Sequence, residues 1–257
     1  MDYQTATLHR IAHKGSRSLI DVHTELQHLA IITYQIPANR LIDRIPRSFK
    51  LWTFMEDGIE YGLISAVTFK ITNFSFYKIS KYPKLNFFQT DFRTYIVNEA
   101  SHAIWFFGTT LGSNAYLIPK YLWKMPCQYG HYDFHSPIEN GEYHMRFRSK
   151  QGRGLVQIKD TNREIHIHKG FTSLEQQAHI LTHAVTGYYP ISQDIIGSYE
   201  IWHPRMKATI GIGQELYFEF FEKLKLLSKT EMNHPHSILM TPKIKFRVLL
   251  PPNKTEF

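Results

Sequence analysis

The stretch from Gln89 to Phe134 decides the fold class of this chain. It reads QTDFRTYIV (89–97), HAIWFFGTTLG (102–112), SNAYLIPKYLWKMP (113–126) and CQYGHYDF (127–134). The first two runs are apolar and aromatic-rich with the period of strands, and a polar tip at 98–101 separates them. A Gly-Ser-Asn break follows, and Pro126 closes the helix-like segment after it. We therefore predict a strand, a turn, a strand, a short helix and a further strand.

Sequence patterns typical of strands continue on both sides of this stretch. Before it, residues 25–34, 49–54 and 60–71 each predict a strand, and Asp57-Gly58 predicts a hairpin between the last two. After it, the predicted strands cover 128–134, 141–147, 154–159, 163–169, 188–199, 205–212 and 238–250, the last ended by Pro251-Pro252. The chain is therefore predicted to be mainly β and mostly antiparallel.

Three further segments have helical spacing. Residues 38–45 predict a short amphipathic helix between two prolines. Residues 173–185 give the clearest helix, with a capping box formed either by Thr172 and Glu175 or by Ser173 and Gln176. In 215–227, apolar residues recur at helical spacing and predict a second amphipathic helix. Residues 1–24 are predicted to form an N-terminal arm, and 25–257 a single domain without repeats or linkers.

Composition excludes few classes of function. The chain has 257 residues, 43% of them hydrophobic, and a formal net charge of +8. Its basic residues are scattered among acidic ones, so a nucleic-acid partner is the weakest hypothesis and no specific nucleic acid is expected. A single cysteine excludes an internal disulfide. With no apolar run of about 20 residues and no signal-like start, we expect no membrane partner and a cytoplasmic location.

Lys120 and Lys124 are the first candidates for chemistry. They are four residues apart and would share one face of a helix with apolar neighbours. A lysine desolvated in such surroundings has a lowered pKa and can form a Schiff base with a carbonyl substrate. The alternative is that both are solvated helix lysines whose stems cover apolar residues.

Two other candidates lie nearby in the sequence. Cys127 would be a nucleophile or redox sensor if a cation lowered its pKa, but cysteine is among the most buried residue types and a packed core thiol is the preferred interpretation.

Arg93 and Tyr95 share a strand face, where Arg93 could clamp a carboxylate and Tyr95 could donate a hydrogen bond. On a solvent-facing strand Arg93 would instead pair with an acidic neighbour. The aromatic residues around Arg93 favour the pocket.

Histidine pairs invite a metal interpretation without supporting one. His166 and His168 share a strand face, yet the chain has no HExxH and no cysteine pair. No glycine-rich segment completes a nucleotide-phosphate loop either. We therefore expect no metal and no cofactor. His203, in Ile201-Trp202-His203-Pro204, is predicted at the edge of a pocket.

Six segments together resemble one family. They are ITYQIPANRLIDRIPRSFKLWTF (32–54), DGIEYGLISAVTF (57–69), DFRTYIV (91–97), AIWFFGTTLGSNAYLIPKYLWKMP (103–126), IWHP (201–204) and HSILMTPKIKFRVLLPP (236–252). In this order they resemble the YqjF-like family of unknown function, which looks like a branch of the acetoacetate decarboxylase-like superfamily. The resemblance covers residues 25–252. It implies a large, mostly antiparallel, closed or nearly closed β-barrel with a few outer helices and a central cavity.

The resemblance implies less about function. Acetoacetate decarboxylases carry a Pro-Lys-Lys motif after the short helix, and one of these lysines forms a Schiff base with a β-keto acid. Aligning that motif with 124–128 puts Cys127 and Gln128 where the two lysines belong, so the catalytic lysine is not carried over. The Arg-Thr-Tyr at 93–95 does match the YqjF-like pattern Asn-x-Arg-Thr-Tyr, with Asp91 in place of the asparagine.

Two functional hypotheses follow. The first is a protein that binds a small anionic organic molecule in the cavity, with contacts from Arg93, Tyr95, Tyr121, Cys127, Gln128 and His203. The alternative is an enzyme, a carbon–carbon lyase of the decarboxylase or aldolase type, acting on a small oxo acid through a Schiff base on Lys124 or Lys120. Self-association into a homo-oligomer is left open by the sequence.

Overall fold

The computed structural model describes residues 18–77, 84–98, 101–135 and 141–256. Most of the predicted N-terminal arm, part of the turn at 98–101 and part of the turn before Gly141 lie outside these residues. The described residues form one sheet of thirteen strands. The strands are β1 (Val22–Pro37), β2 (Lys50–Leu51), β3 (Thr53–Glu56), β4 (Ile59–Phe76), β5 (Leu85–Asn98), β6 (Ser101–Leu111), β7 (Cys127–His135), β8 (Glu142–Ser149), β9 (Arg153–Glu164), β10 (Thr186–Pro190), β11 (Ile195–Trp202), β12 (Thr209–Phe218) and β13 (Ser237–Glu256).

Helices in the described residues are short. They are α1 (Leu174–Leu181), α2 (Glu219–Lys223) and α3 (Lys229–Met232), with 3-10 turns at Ala38–Arg40, Ile42–Arg44 and Asn114–Tyr116 and a π-helix at Ile118–Leu122. Of the two predicted caps, Ser173 is the one that begins α1, and it accepts a 3.0 Å hydrogen bond from the Gln176 backbone N–H. The predicted helix after Gly112 is divided into two irregular turns, because Pro119 has no N–H to donate to an α-helical ladder.

Two hairpins predicted from the sequence are confirmed. Asp57 and Gly58 have φ angles of 50° and 77°, the left-handed conformation that a two-residue hairpin turn requires between β3 and β4. Strands β5 and β6 pair antiparallel along most of their length, from Gln89 opposite Leu111 to Asn98 opposite Ser101. The mainly β fold class is therefore confirmed around the segment that predicted it.

The pairing of long strands closes the sheet on itself in two rings. Strand β6 pairs with β5 on one edge, and its other edge is shared between β10 at Ile104 and β7 at Thr109. Strand β13 likewise pairs with β1 on one edge and with β12 and β11 on the other. A seven-stranded ring runs β6-β10-β11-β13-β1-β4-β5, and a nine-stranded ring runs β6-β7-β8-β9-β12-β13-β1-β4-β5. Strands β13, β1, β4, β5 and β6 form a wall common to both.

Both faces of this common wall are buried. Because successive side chains of a strand point to opposite faces, β5 directs Phe92 into the nine-stranded ring and Asp91 and Arg93 into the seven-stranded ring. In β1 a bulge at His28, whose φ is 51°, resets this alternation so that Leu26 and Leu29 lie on the same side. Helix α1 adds Ile180 and Leu181 to the apolar cluster on the seven-stranded side.

Several predicted elements have different bounds in the structure, among them the strand predicted over 188–199, which is two strands, β10 and β11. The helix predicted over 215–227 is wrong in its first turn, where β12 continues to Phe218 with Leu216 and Phe218 buried in alternation and paired with β9. The strands predicted over 154–159 and 163–169 are a single strand that ends at Glu164, since β9 passes through 160–162 as a bulge with Asn162 at φ 55°. The apolar residues of 215–227 therefore fit both the helical and the strand period, and pairing with the neighbouring strand β9 determines which structure forms.

The last strand also differs from its prediction. Strand β13 does not stop at Pro251-Pro252 but continues to Glu256. The two prolines lie opposite a register shift between Ser198 and Glu200 of β11, so the N–H groups that they lack are not needed for a regular ladder. Residues 253–256 then pair with 195–198 and complete the seven-stranded ring.

Candidate cavity site

The seven-stranded ring encloses a cavity of about 210 Å³. Its wall is mostly apolar, with side chains such as Leu26, Phe69, Phe87, Phe106 and Phe246. Polar side chains also reach it, and they come from five different strands and from the segments beside them: Thr24, Gln89, Asp91, Arg93, Thr109, Cys127, Thr182, Tyr199 and His203. An apolar cavity with a few convergent polar groups is the usual form of a small-molecule site.

Asp91 is the buried acid of this cavity, with 8% of its surface exposed. Gln89 Nε2 and Thr109 Oγ1 donate hydrogen bonds to the same carboxylate oxygen, Oδ1, over 2.9 Å and 2.8 Å. Burial raises the pKa of Asp91 to about 6, although these two hydrogen bonds and the charge of Arg93 oppose the increase. Asp91 therefore exchanges its proton close to neutral pH.

Arg93 is the cation of the cavity. One guanidinium nitrogen donates a 2.9 Å hydrogen bond to the carbonyl of Leu181, the last residue of α1, where helix carbonyls lack an intrahelical partner. The guanidinium also lies 5.6 Å from the centre of the Tyr95 ring. Its Nε is buried and has no hydrogen-bond partner among the described residues. Asp91 and Arg93, both in the described part of the chain, form no ion pair with each other, so Arg93 keeps donors for a ligand.

His203 closes the end of the cavity next to Arg93. The ring is 2% exposed, stacks on Phe246 at 5.2 Å and lies 5.0 Å from the ring of His183. Its Nδ1 lies 2.8 Å from the carbonyl oxygen of Pro204, which makes Nδ1 the protonated nitrogen. Burial lowers the pKa of His203 to about 4. At neutral pH the ring is therefore uncharged.

Most of the residues of segment 118–128 that line the cavity are not the ones predicted to bind or react with a ligand. Pro119, Trp123, Met125 and Cys127 line the cavity. Lys120 Nζ instead donates a 3.1 Å hydrogen bond to Gln128 Oε1, on the other face of β7 from Cys127. Tyr121 is 61% exposed and Lys124 is exposed. None of the described residues that line the cavity is a lysine.

Tyr95 lies farther along β5 than Arg93, on the same face of the strand. It is 1% exposed, and its hydroxyl is 2.6 Å from Ser65 Oγ, which in turn is 2.9 Å from Thr33 Oγ1. Of the eight residues predicted for the site, the structure brings Arg93, Cys127 and His203 together at the cavity. Tyr95 packs in the apolar cluster on the same side of the sheet without lining the cavity, and Lys120, Tyr121, Lys124 and Gln128 are not among the lining residues either.

Cys127 is a packed thiol. It is 4% exposed, and burial together with the nearby Asp91 carboxylate raises the pKa of its thiol. Lys120 opposes this increase without overcoming it. A neutral thiol at the cavity wall agrees with the interpretation of Cys127 as a core residue rather than a thiolate nucleophile.

Tyr199 is the main cavity residue that sequence reasoning missed. Its ring stacks on Phe106 at 5.8 Å, and burial and the neighbouring Asp91 hold the pKa of its phenol well above 10. The sequence carried no signal for it, because β11 reaches the cavity through its pairing with a distant segment of β13. Asp91 and Gln89 had a usable signal, since they alternate with Arg93 on one face of β5.

Neither a metal-binding cluster nor a membrane-spanning helix occurs in the residues that the structure describes. The described parts of the chain contain no group of three or more His, Cys, Asp or Glu side chains placed to hold a metal ion. Within residues 18–77, 84–98, 101–135 and 141–256, no helix combines the length and the apolar character needed to cross a membrane.

The ring-like sheet with an enclosed cavity is an acetoacetate decarboxylase-like fold. Acetoacetate decarboxylase from Legionella pneumophila is similar with a TM-score of 0.60 and 8% identity, over 91% of this chain and 86% of that one. An acetoacetate decarboxylase-like enzyme from Sphingomonas wittichii has a TM-score of 0.59 and 9% identity, over 93% and 94%. The enduracididine biosynthesis enzyme MppR, complexed with pyruvate, has a TM-score of 0.62 and 9% identity, over 95% and 93%. At identities of 8–9%, these structural similarities establish the fold alone.

Residues 23–245 match the family DUF2071, described as "Uncharacterized conserved protein (COG2071)". The chain therefore belongs to this YqjF-like family, as its sequence motifs predicted. A search of curated protein sequences gave no match.

Proposed function

We propose that this protein binds a small organic acid in the cavity of the seven-stranded ring, with Arg93 as the carboxylate anchor. The observation that carries the proposal is the Arg93 guanidinium, which faces the cavity with a buried and unpartnered Nε after one of its other nitrogens has bonded to Leu181. Arginine presents its N–H groups in a rigid fork that matches the two oxygens of a carboxylate. A carboxylate would satisfy donors that are costly to leave unpaired.

The size of the cavity limits the ligand. A volume of about 210 Å³ exceeds the ~150 Å³ of an engineered apolar cavity that takes up benzene, so the ligand has roughly three to eight non-hydrogen carbon and oxygen atoms beyond its anchor. The apolar wall favours a short hydrocarbon portion. Cys127 and His203, which line the same cavity, would contact that portion or its polar substituent as neutral groups.

Oxo acids are the first compounds to test. The similar enzyme MppR has been crystallised with pyruvate, and also with the condensation product of pyruvate and imidazole 4-carboxaldehyde. Transferring this ligand class to the present chain is part of our proposal, because an identity of 9–10% carries no residue-level correspondence. A carbonyl beside the carboxylate would accept hydrogen bonds from the polar side chains around Asp91.

A carbon–carbon lyase working through a Schiff base is less well supported. Such an enzyme needs a lysine amine at the ligand, whereas Lys120 binds Gln128 and Lys124 is exposed, and neither lies among the described cavity-lining residues. We therefore propose binding of an organic acid without a covalent lysine adduct. Among the predicted ligand residues, we assign direct contacts to Arg93, Cys127 and His203.

The test is calorimetric titration of pyruvate, 2-oxobutanoate, acetoacetate and acetate into the wild type and Arg93→Gln. A charged hydrogen-bonded anchor contributes ~1.5–3 kcal/mol, so Arg93→Gln is expected to weaken binding about 10- to 100-fold. Arg146→Gln is the matched control, because Arg146 is an exposed arginine of β8 outside the cavity. Equal affinities of Arg93→Gln and wild type, or no binding of any acid by the wild type, would overturn the proposal.

A further inference from the structure

We propose that Asp91 and Tyr199 catalyse proton exchange at the carbon next to the carbonyl of an oxo acid held by Arg93. The inference rests on the proposed function and adds an activity to it. It needs neither a Schiff base nor a metal ion. The two residues would act as a base and as a hydrogen-bond donor to the enolate oxygen, so the protein would interconvert the keto and enol forms of its ligand.

The geometry of Asp91 is that of a positioned base. Both hydrogen bonds that it accepts from described side chains, from Gln89 and Thr109, go to Oδ1. The carboxylate is thereby fixed in orientation on the cavity wall, and Oδ2 is left without a hydrogen-bond donor among the described residues. Arg93 follows two positions later on the same strand face, so a ligand bound to Arg93 lies beside Asp91.

Tyr199 supplies the second group. It lines the same cavity from β11, and its ring is held by stacking on Phe106 at 5.8 Å with an interplanar angle of 23°. Its hydroxyl has no hydrogen bond with the described residues. Tyr199 alternates with Ile201 and His203, and all three line the cavity that Asp91 and Arg93 also line. Because the phenol stays protonated, it can donate a hydrogen bond.

The proposed step balances without any co-reactant. Asp91 Oδ2 takes the proton from the carbon next to the carbonyl, and the C–H electron pair becomes the C=C bond of the enolate. The carbonyl π electrons move to oxygen, where the Tyr199 hydroxyl donates a hydrogen bond. The Asp91 proton then exchanges with water, and its return to carbon restores the oxo acid. A weakly basic carboxylate and a neutral phenol in an apolar site form a known arrangement for this chemistry.

A purely structural role would not explain why position 91 carries a carboxylate. A buried carboxylate without an ion pair destabilises the fold, and its raised pKa of about 6 is a measure of that cost. An uncharged amide at position 91 would accept the same hydrogen bonds from Gln89 and Thr109. The carboxylate is needed where a proton has to be taken up and released near neutral pH.

The experiment follows deuterium incorporation into pyruvate and 2-oxobutanoate in D2O by proton NMR, with calorimetric binding of the same acids measured in parallel. We expect the wild type to exchange the protons next to the carbonyl well above a protein-free blank. Asp91→Asn should lower the rate at least about 100-fold while binding is kept or strengthened. Tyr199→Phe should lower the rate by about 100-fold. Tyr132→Phe, a buried tyrosine outside the cavity lining, is the control and should exchange like the wild type.

Each outcome decides between the two proposals. Exchange at the blank rate by a wild type that binds these acids would overturn the catalytic proposal and leave the binding function in place. Exchange by Asp91→Asn at the wild-type rate would also overturn it. If the wild type binds none of the acids, the proposed function itself fails. Tyr199→Phe keeps the ring and its packing, so it tests the proposal even if Asp91→Asn does not fold.

Discussion

The two faces of the common wall are built from the same five strands but serve different purposes. In the nine-stranded ring, Phe92, Phe218 and Phe221 are at most 1% exposed and meet edge to face with centroids 5.2–5.9 Å apart. In the seven-stranded ring, the residues on either side of Phe92 are Asp91 and Arg93, and they border a cavity. One strand thus contributes close packing to one side and incompletely bonded polar groups to the other.

We interpret this difference as a separation between residues that stabilise the fold and residues that carry the proposed function. Edge-to-face aromatic packing and buried apolar area stabilise the nine-stranded ring without reference to any ligand. Asp91 and the unpartnered Nε of Arg93 instead destabilise the seven-stranded ring in the absence of a ligand. Groups of this kind are typical of functional sites, where stability is given up for chemistry. Substitutions on the two faces should therefore differ in their effects on stability and on ligand binding.

The largest difference is expected for large-to-small substitutions. Phe92→Ala should lower the free energy of unfolding by about 3 to 5 kcal/mol, because it opens a void in a filled core. Phe106→Ala on the cavity side should cost less, about 2 kcal/mol, since one side of that ring already borders empty space. Urea denaturation of both variants measures the two values. Equal losses would mean that the cavity side is as tightly packed as the filled side.

A second contrast lies in how the cavity groups respond to pH. Burial raises the pKa of Asp91 from 3.8 to about 6, so its penalty is absent below pH 3.8 and complete above pH 6. Burial lowers the pKa of His203 from 6.5 to about 4, so its penalty is absent above pH 6.5 and complete below pH 4. Each pKa difference corresponds to about 3 kcal/mol. With rising pH, the Asp91 contribution to stability falls while the His203 contribution rises.

Single substitutions should expose these two opposing slopes. Between pH 4 and pH 6.5, Asp91→Asn is expected to gain about 3 kcal/mol of stability relative to the wild type, because the variant lacks the Asp91 penalty. His203→Asn should lose about 3 kcal/mol relative to the wild type over the same interval. Urea titrations at several pH values measure both differences. If the difference between each variant and the wild type does not change with pH, these residues do not carry the proposed pKa shifts.

The fold could be predicted from the sequence largely because its signals are local. The alternation around Arg93, the Asp57-Gly58 turn and the capping residues of α1 each act within a few residues, and the corresponding elements formed. The order of motifs predicted the superfamily. The prediction was wrong where pairing with a neighbouring strand determines the secondary structure. Residues 215–218 are an example, because their apolar residues fit a helix but the segment pairs with β9.

The site was predicted less completely for the same reason. Arg93 could be found because its aromatic strand context is visible in the sequence, and its cavity partners Gln89 and Asp91 share that strand face. Tyr199 and the orientation of the segment 118–128 depend on pairings between residues far apart in the chain. Which of Lys120 and Pro119 faces the cavity depends on the irregular turns around Pro119, and helical spacing does not describe these turns.

Small-to-large substitutions sharpen the comparison at two adjacent residues of β4. Ala66 is fully buried in the filled ring, whereas Val67 lines the cavity. Ala66→Leu should destabilise the protein by about 1 to 3 kcal/mol through overpacking. Val67→Phe should have little effect on stability, because the added ring enters empty space, but it should abolish binding of organic acids. Thermal denaturation and calorimetry measure the two effects. A large loss of stability in Val67→Phe would show that the cavity wall cannot accept added volume.

The smallest expected effect concerns the lysines beside the cavity. Treating the protein with borohydride in the presence of pyruvate or acetoacetate should leave the masses of peptides that contain Lys120 and Lys124 unchanged, because Lys120 is bonded to Gln128 and Lys124 is exposed. Peptide mass spectrometry makes this measurement, and a Schiff-base aldolase treated in parallel is the positive control. A ligand-dependent adduct on either lysine would mean that segment 118–125 rearranges to bring an amine into the cavity. The lyase hypothesis would then replace the proposal that the seven-stranded ring binds its ligand without a lysine.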